Sequence, residues 1–139
     1  MDLSERLRDA LVALTPNRPD AVERLRPLYA TSMVFHDPIQ EVRGLDAFLA
    51  MNRRLLARMR TLEWTVSSSR GDESEVFLEW TMRGTPKLGP AIEVSGVTRA
   101  RARDGVIFDH RDYWDMGELM ASAVPGGQRF LTLLRSPFA

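Results

Sequence analysis

The sequence predicts an α+β domain, with helices packed on one face of a curved, mostly antiparallel sheet. In the first half of the chain, apolar residues recur at steps of three and four, which is the period of an amphipathic helix. After residue 61 they alternate with polar residues, which is the period of a strand. Turn signals at Gly71-Asp72 and Asp104-Gly105 join these alternating segments as hairpins require. The 139 residues contain no repeat and no linker, so we expect a single domain over residues 1–139.

Two helices are predicted on either side of Pro16. After this proline, Asp20 is a suitable helix-capping residue, and the helical pattern continues to Tyr29. Pro27 predicts a break in this second helix, because proline lacks the backbone N–H that a helix interior uses. The apolar stripe of the first helix consists of Leu3, Leu7, Ala10, Leu11 and Leu14.

A brief strand and a longer helix follow. Met33 to His36 is an apolar run that Asp37-Pro38 closes, which indicates a short strand. Gly44 ends the next loop, and Asp46 is expected to cap the longer helix. Asn52 and the arginines of this helix are predicted away from its buried face, which consists of Phe48, Met51, Leu55 and Met59.

Four longer strands occupy most of the second half. Alternation predicts them at residues 62–66, 76–83, 92–103 and 106–114, with a loop at 86–90. The tail predicts a further helix around Gln128 to Leu134.

Side-chain parity gives the sheet an inner and an outer face. On the third long strand, Arg99, Arg101 and Arg103 share one parity, and three guanidinium groups cannot all be buried without partners. That face is therefore predicted to meet solvent or a second subunit. On the last strand the inner face is predicted to carry Phe108, His110, Asp112 and Trp114, and the outer face Ile107, Asp109, Arg111 and Tyr113.

Composition excludes several classes of function. The 19 basic residues balance the 19 acidic ones, which argues against nucleic-acid binding. The absence of cysteine excludes disulfides, thiolate catalysis and cysteine-ligated metals. The two histidines, His36 and His110, are far apart in sequence, so no metal site is expected. No apolar run is long enough for a membrane span and no secretory signal is present, so we expect a soluble, cytoplasmic domain that engages no membrane.

Two polar groups of residues are candidates for catalysis. Asp37 follows the short strand, and His110 and Asp112 lie on the last strand among aromatic residues. A carboxylate walled by apolar groups has its charged form disfavoured, which suits it to act as a general acid or base. The alternative for Asp37 is turn and cap chemistry before Pro38, and the alternative for Asp112 is an ion pair with an arginine. His110 could also be a simple hydrogen-bonded core histidine.

The same motifs resemble the nuclear-transport-factor-2-like superfamily. The first is Phe35-His36-Asp37-Pro38 followed by Gly44-Leu45-Asp46-Ala47-Phe48, and the second runs from Arg103-Asp104-Gly105-Val106-Ile107 to Asp115. The most similar groups are the SnoaL-like polyketide cyclases, the ketosteroid isomerases and the limonene-type epoxide hydrolases. The resemblance implies a cone-shaped, cystatin-like α+β barrel that encloses an apolar pocket. It also implies a homodimer formed through the outer sheet face.

Residue by residue, the resemblance carries over unevenly. Asp37 matches the general base of the ketosteroid isomerases, but the first helix has no tyrosine and Gly96 stands where those enzymes have an acid. Asp112 matches an aspartate of the limonene-type epoxide hydrolases, but Trp80 and Met82 replace their arginine and second aspartate. The polyketide cyclases need only an acidic pocket residue, which Asp112 beside His110 could supply.

Three hypotheses remain open from the sequence. The first is a cyclase or isomerase in which Asp37 or Asp112 moves a proton on a hydrophobic polycyclic or terpenoid substrate, with His110 sharing the proton and no cofactor. The second is a non-catalytic domain that binds a small hydrophobic molecule, and the third is a domain that only dimerises because its own side chains fill the pocket. The predicted pocket walls are Phe35, Met51, Leu55, Trp64, Trp80, Met82, Gly96, Phe108 and Trp114.

Overall fold

A computed structural model describes residues 1–123, and the helix predicted at Gln128 to Leu134 lies outside the described residues. The three α-helices are α1 (Leu3–Val12), α2 (Leu45–Arg58) and α3 (Met116–Ala123), and a 3₁₀ helix spans Glu23–Leu28. The six strands are β1 (Tyr29–His36), β2 (Glu41–Arg43), β3 (Met59–Gly71), β4 (Glu75–Pro86), β5 (Ile92–Arg103) and β6 (Val106–Trp114).

One curved sheet contains all six strands in the order β2-β1-β6-β5-β4-β3. Every neighbouring pair is antiparallel except β1 and β6, which run parallel. The ladder is unclosed, with β2 and β3 at its edges, and the helices cover its concave face. The predicted α+β cone is therefore confirmed. Within residues 1–123, no helix combines the length and apolar character that a bilayer crossing requires.

Helix α1 begins at a capping box. Asp2 Oδ1 accepts a hydrogen bond from the Glu5 backbone N–H at 2.9 Å, and Glu5 Oε2 accepts one from the Asp2 N–H at 3.0 Å. The helix then buries Leu3, Leu7 and Ala10 against β3 and β4. This places the predicted apolar stripe over the concave face.

The segment from Asp20 to Tyr29 differs from its prediction. It forms a turn and a 3₁₀ helix rather than an α-helix, because Pro27 denies the α-helix a backbone donor. Tyr29 is the first residue of β1, where it pairs with Ile107 of β6. Strand β1 is thus four residues longer at its start than the Met33–His36 run predicts.

The start of helix α2 also differs from its prediction, which placed the cap at Asp46. Gly44, with φ of 95°, is its N-cap, and Asp46 lies within the first turn. Met59 ends the helix and begins β3, where it remains buried. Asn52 is a further correction, because it is buried rather than on the solvent face.

A β-bulge at Phe108 changes which side chains of β6 face inward, so the predicted parity is wrong at the start of this strand. Arg101 pairs with Asp109 and Ala102 pairs with Ile107, so Phe108 is the extra residue between two consecutive partners. Ile107 therefore turns inward and is fully buried. Phe108 turns outward, where the guanidinium groups of Arg101 and Arg103 lie 5.6 Å and 4.8 Å from its ring centroid.

Helix α3 covers the part of β5 that β6 leaves without a neighbour. The pairing of β6 ends where Trp114 meets Gly96, and α3 packs against β5. The Glu93 N–H donates to Ser122 Oγ at 3.2 Å, and the Ser95 N–H donates to Glu118 Oε1 at 3.1 Å. Side chains of α3 thus satisfy backbone donors that would otherwise need water.

Candidate functional site

A cavity of about 300 Å³ lies between the helices and the concave face of the sheet. Its wall includes all three candidate catalytic residues, together with Leu7 and Leu11 of α1 and Leu119 of α3. The dimerisation-only hypothesis required the side chains to fill the cone, and the cavity shows that they do not. Of the predicted wall residues, the cavity is lined by Phe35, Met51, Leu55, Trp64, Trp80, Met82 and Trp114.

Strand register arranges the concave face in rows. One row runs Trp80, Gly96, Trp114 across β4, β5 and β6. The next row runs Leu78, Thr98, Asp112 in the same direction. Because alternate residues of a strand share a face, Asp112 and Trp114 point to the same side. The carboxylate therefore lies one row away from two tryptophan rings.

Asp112 Oδ1 accepts two hydrogen bonds from neighbouring side chains. Thr98 Oγ1 donates at 2.6 Å, and His110 Nε2 lies 2.8 Å away. Each of these partners is itself held by a buried aromatic residue. Trp80 Nε1 donates to Thr98 Oγ1 at 2.9 Å, and the Tyr29 hydroxyl lies 2.8 Å from His110 Nδ1.

The donors in this network have one consistent direction. An indole N–H can only donate, so Thr98 Oγ1 accepts from Trp80 and directs its own proton to Asp112. Burial, reinforced by the negative charge of Asp112, strongly raises the pKa of the Tyr29 phenol, so its hydroxyl keeps its proton. In the tautomer that carries its proton on Nε2, His110 accepts from the Tyr29 hydroxyl at Nδ1 and donates from Nε2 to Asp112. Two chains of two groups, Trp80 to Thr98 and Tyr29 to His110, thus end on the same carboxylate oxygen.

Aromatic rings surround the imidazole of His110. The rings of Tyr29, Phe35 and Phe48 lie 5.8, 5.2 and 5.6 Å from it, centroid to centroid. The His110 side chain is only 10% exposed. This packing holds the ring in the orientation that its two hydrogen bonds require.

The second oxygen of Asp112 is differently placed. Among residues 1–123, no donor group hydrogen-bonds to Oδ2, while Oδ1 receives both bonds. The side chain is 18% exposed and lines the cavity. A ligand group in the cavity can therefore approach a carboxylate oxygen that the described part of the protein does not occupy.

Asp37 lies at the rim of the same cavity in another chemical setting. Its Oδ1 accepts from the Ile39 N–H at 2.9 Å and the Gln40 N–H at 3.0 Å. Its Oδ2 accepts from Gln40 Nε2 at 3.3 Å. Both oxygens serve the turn between β1 and β2, which is the turn chemistry that the Asp-Pro pair predicted as the alternative.

Two predicted wall residues lie outside the cavity wall. Phe108 faces outward because of the bulge in β6. Gly96 is covered by the ring of Trp80, since a Cβ at this position would lie 2.6 Å from Trp80 Cη2 and 2.6 Å from the Tyr113 carbonyl oxygen. Glycine is thus required for Trp80 to lie flat against β5.

Four polar wall residues were missed by sequence reasoning, namely Tyr29, Gln40, Asn52 and Thr98. Tyr29 was assigned to a helix, so its pairing with β6 was not foreseen. Thr98 lies two residues after Gly96 on β5 and faces the same side of the sheet, so strand alternation from Gly96 could have identified it. Asn52 donates from Nδ2 to the Phe48 carbonyl at 2.9 Å within α2. Within residues 1–123, no group of three or more His, Asp or Glu side chains is placed to hold a metal ion.

Comparisons with known proteins give a family and a fold. Residues 8–110 match the family model of the SnoaL-like domain. No curated protein matches the sequence. Similar solved structures include an LEH-like epoxide hydrolase of M. tuberculosis, with a TM-score of 0.72 and 18% identity, covering 97% of this chain and 96% of that one.

Two further structures are similar. A protein of Catenulispora acidiphila DSM 44928 with a ketosteroid isomerase-like fold has a TM-score of 0.73 and 20% identity, covering 86% of this chain and 93% of that one. An NTF2-like protein of unknown function from Burkholderia pseudomallei K96243 has a TM-score of 0.74 and 14% identity, covering 90% of this chain and all of that one. At these identities the likeness is one of fold.

Replacing Gly96 by alanine is expected to destabilise the domain by about 1–3 kcal/mol, because the new methyl group overlaps the Trp80 ring and a backbone carbonyl. Urea unfolding measures the change. In the double variant with Trp80→Phe, the missing outer ring relieves part of the overlap, so the two costs should be less than additive. Strict additivity would contradict the contact.

Tyr29→Phe should reduce the free energy of unfolding by about 1–3 kcal/mol, because His110 Nδ1 is then buried without a donor. The control is Ser74→Ala, which removes an exposed hydroxyl whose hydrogen bond to Asp72 Oδ1 measures 2.6 Å. Its effect should stay within about 0.5 kcal/mol. Equal effects of the two substitutions would exclude the buried hydrogen bond.

Proposed function

The chain belongs to the SnoaL-like domain family, and we propose that it is a cyclase- or isomerase-type enzyme working by acid–base catalysis. In this proposal Asp112 takes a proton from a carbon next to a carbonyl group of a hydrophobic polycyclic or terpenoid substrate. The observation that carries the proposal is the asymmetric setting of the carboxylate, in which Oδ1 is held by Thr98 and His110 while Oδ2 has no donor among residues 1–123, in a residue that lines the cavity.

The hydrogen bonds suit the carboxylate to this role. Two hydrogen bonds on Oδ1 fix the orientation of the Asp112 carboxylate inside an apolar cavity. Oδ2 then accepts the substrate proton, and the electrons of the broken C–H bond pass into the carbonyl group as an enolate. The carboxylic acid so formed returns the proton to the product. His110 Nε2–H steadies the carboxylate in both stages.

The apolar walls support the same chemistry. Trp64, Trp80, Met82 and Trp114 contribute mostly hydrophobic surface near the carboxylate. Such walls match a hydrophobic substrate and exclude water, which strengthens every electrostatic interaction inside the cavity. The cavity volume of about 300 Å³ suits a small molecule rather than a peptide chain.

Asp37 is not the base in this proposal. Its two oxygens accept three hydrogen bonds from the loop that begins at Ile39. We assign it instead to holding the cavity rim. A ligand carrier without catalysis is the alternative function, and the loss-of-charge experiment below separates the two.

We also propose a homodimer formed through the convex face of the sheet. On that face Phe77 is 42% exposed and Tyr113 is 50% exposed, and Val97 of β5 is the cross-strand partner of Tyr113. An exposed apolar cluster rimmed by arginine side chains, such as Arg99 and Arg111, is typical of an interaction surface.

Light scattering should therefore give twice the chain mass of 15.8 kDa. Tyr113→Glu places a charge at the centre of the cluster and should give monomers. Ala57→Glu adds the same charge at an exposed position on α2 and should leave the dimer intact. A monomeric wild-type protein would contradict the proposed dimer.

Asp112→Asn should lower the rate of proton abstraction about 100-fold or more, because asparagine keeps an acceptor for Thr98 and His110 but is not a base. The probe is nitrobenzisoxazole, whose N–O bond breaks to give a coloured cyanophenolate when a base removes its C–H proton. The measurement is the initial rate of absorbance change with saturating protein.

Two controls accompany this experiment. Asp37→Asn should change the rate little if Asp37 only holds the rim. Asp104→Asn removes an equal charge at an exposed hairpin position with φ of 54°, which asparagine tolerates, and should change nothing. If wild type and Asp112→Asn react alike, Asp112 is not a base and the carrier function is favoured.

A further inference from the structure

The carboxylate of Asp112 brings a negative charge into a cavity with little to balance it. Its two partners are the Thr98 hydroxyl and His110 Nε2, and the other ring nitrogen of His110 is engaged by the Tyr29 hydroxyl. Among the described residues, no arginine or lysine lines the cavity. A partly buried carboxylate without an opposite charge in the cavity wall favours a ligand that brings one, so a cationic ligand would be favoured there.

Aromatic rings stand beside this charge. Trp80 and Trp114 occupy the row next to Asp112 on the sheet, on either side of Gly96. Trp64 meets Trp80 edge to face, with ring centroids 5.1 Å apart and an interplanar angle of 78°. The faces of tryptophan rings attract cations, and groups of such rings around an anionic side chain are suited to alkylated ammonium groups.

The entrance of the cavity also carries a negatively charged side chain. Asp37 lines the entrance, and its three hydrogen bonds all come from neutral donors of the loop. The electrostatic potential along the path to Asp112 is therefore negative at both ends. An anionic ligand would meet repulsion at the rim and again inside.

From these observations we infer that the cavity selects ligands carrying a tertiary or quaternary ammonium group on a hydrophobic body. The ammonium lies against the tryptophan rings within a few ångströms of Asp112, and the hydrophobic body lies along the leucine side chains of α1. This assigns a charge class to the ligand of the proposed function. It rests on the cavity and on the ionised carboxylate, and it holds whether or not Asp112 moves a proton.

The test compares two probes that differ by one atom. Phenethyltrimethylammonium carries the charge, and neohexylbenzene has a carbon atom in place of the nitrogen and is neutral. Calorimetric titration measures the dissociation constant of each with wild-type protein and with Asp112→Asn. The substitution should weaken binding of the ammonium about tenfold or more and leave binding of the neutral probe nearly unchanged.

Matched variants separate the charge from the shape of the cavity. Asp104→Asn, the equal change of charge on the exposed hairpin, should leave both dissociation constants unchanged. Trp114→Leu keeps an apolar wall but removes a ring face, so it should weaken the ammonium more than the neutral probe. Phenylbutyrate, an anion of similar size, should bind wild type more weakly than either probe.

The possible results are distinct. If Asp112→Asn weakens both probes equally, or if wild type binds phenylbutyrate better than the ammonium, the inference is overturned. Failure of proton abstraction with a retained ammonium preference would reject the proposed catalysis alone. Proton abstraction without any charge preference would reject this inference alone.

Discussion

The concave face of this domain is organised around the two hydrogen bonds that meet at Asp112 Oδ1. A carboxylate in an apolar cavity needs hydrogen-bond donors, and each donor group is held in orientation by a hydrogen bond to a further residue. Thr98 is aimed by the indole of Trp80, and His110 is aimed by the phenol of Tyr29. His110 lies on β6 beside Asp112, and the other three partners come from three further strands, Trp80 from β4, Thr98 from β5 and Tyr29 from β1. The sheet must therefore be complete before the charge is satisfied.

Backbone features far from the carboxylate make this arrangement possible. Gly96 has no side chain, so Trp80 can lie flat on β5 and reach Thr98. The bulge at Phe108 lets both Ile107 and His110 face inward, which an unbroken alternation forbids. The parallel pairing of β1 with β6 brings Tyr29 within hydrogen-bond distance of His110. Each of these features departs from a regular antiparallel sheet, and each helps to place a residue of the hydrogen-bond network around Asp112.

This dependence also explains how the domain differs from the enzymes it resembles. By the sequence resemblance, Trp80 and Met82 match charged positions of the limonene-type epoxide hydrolases, and Gly96 matches an acidic position of the ketosteroid isomerases. In this structure Trp80 and Met82 are apolar wall residues of the cavity, whose described carboxylates are Asp37 and Asp112. A single carboxylate with one oxygen held and one directed to the ligand supports both proposals made above, because it combines basicity with a negative charge. The two properties are separable by experiment, since one needs a reacting C–H bond and the other only a bound cation.

The sequence by itself determined the α+β class, the hairpin turns and the candidate residues His110 and Asp112, because these depend on local periodicity and turn chemistry. Local pattern also identified most of the cavity wall. It could not place Tyr29, since Pro27 ends the helical pattern without saying where β1 begins, and it misassigned Phe108, since a bulge leaves no periodic signal. Only the tertiary structure decided that both oxygens of Asp37 accept hydrogen bonds while Oδ2 of Asp112 has no donor among residues 1–123. The reason is physical: hydrogen bonds to a carboxylate come from residues distant in sequence, and strand register, not spacing along the chain, decides which donors arrive.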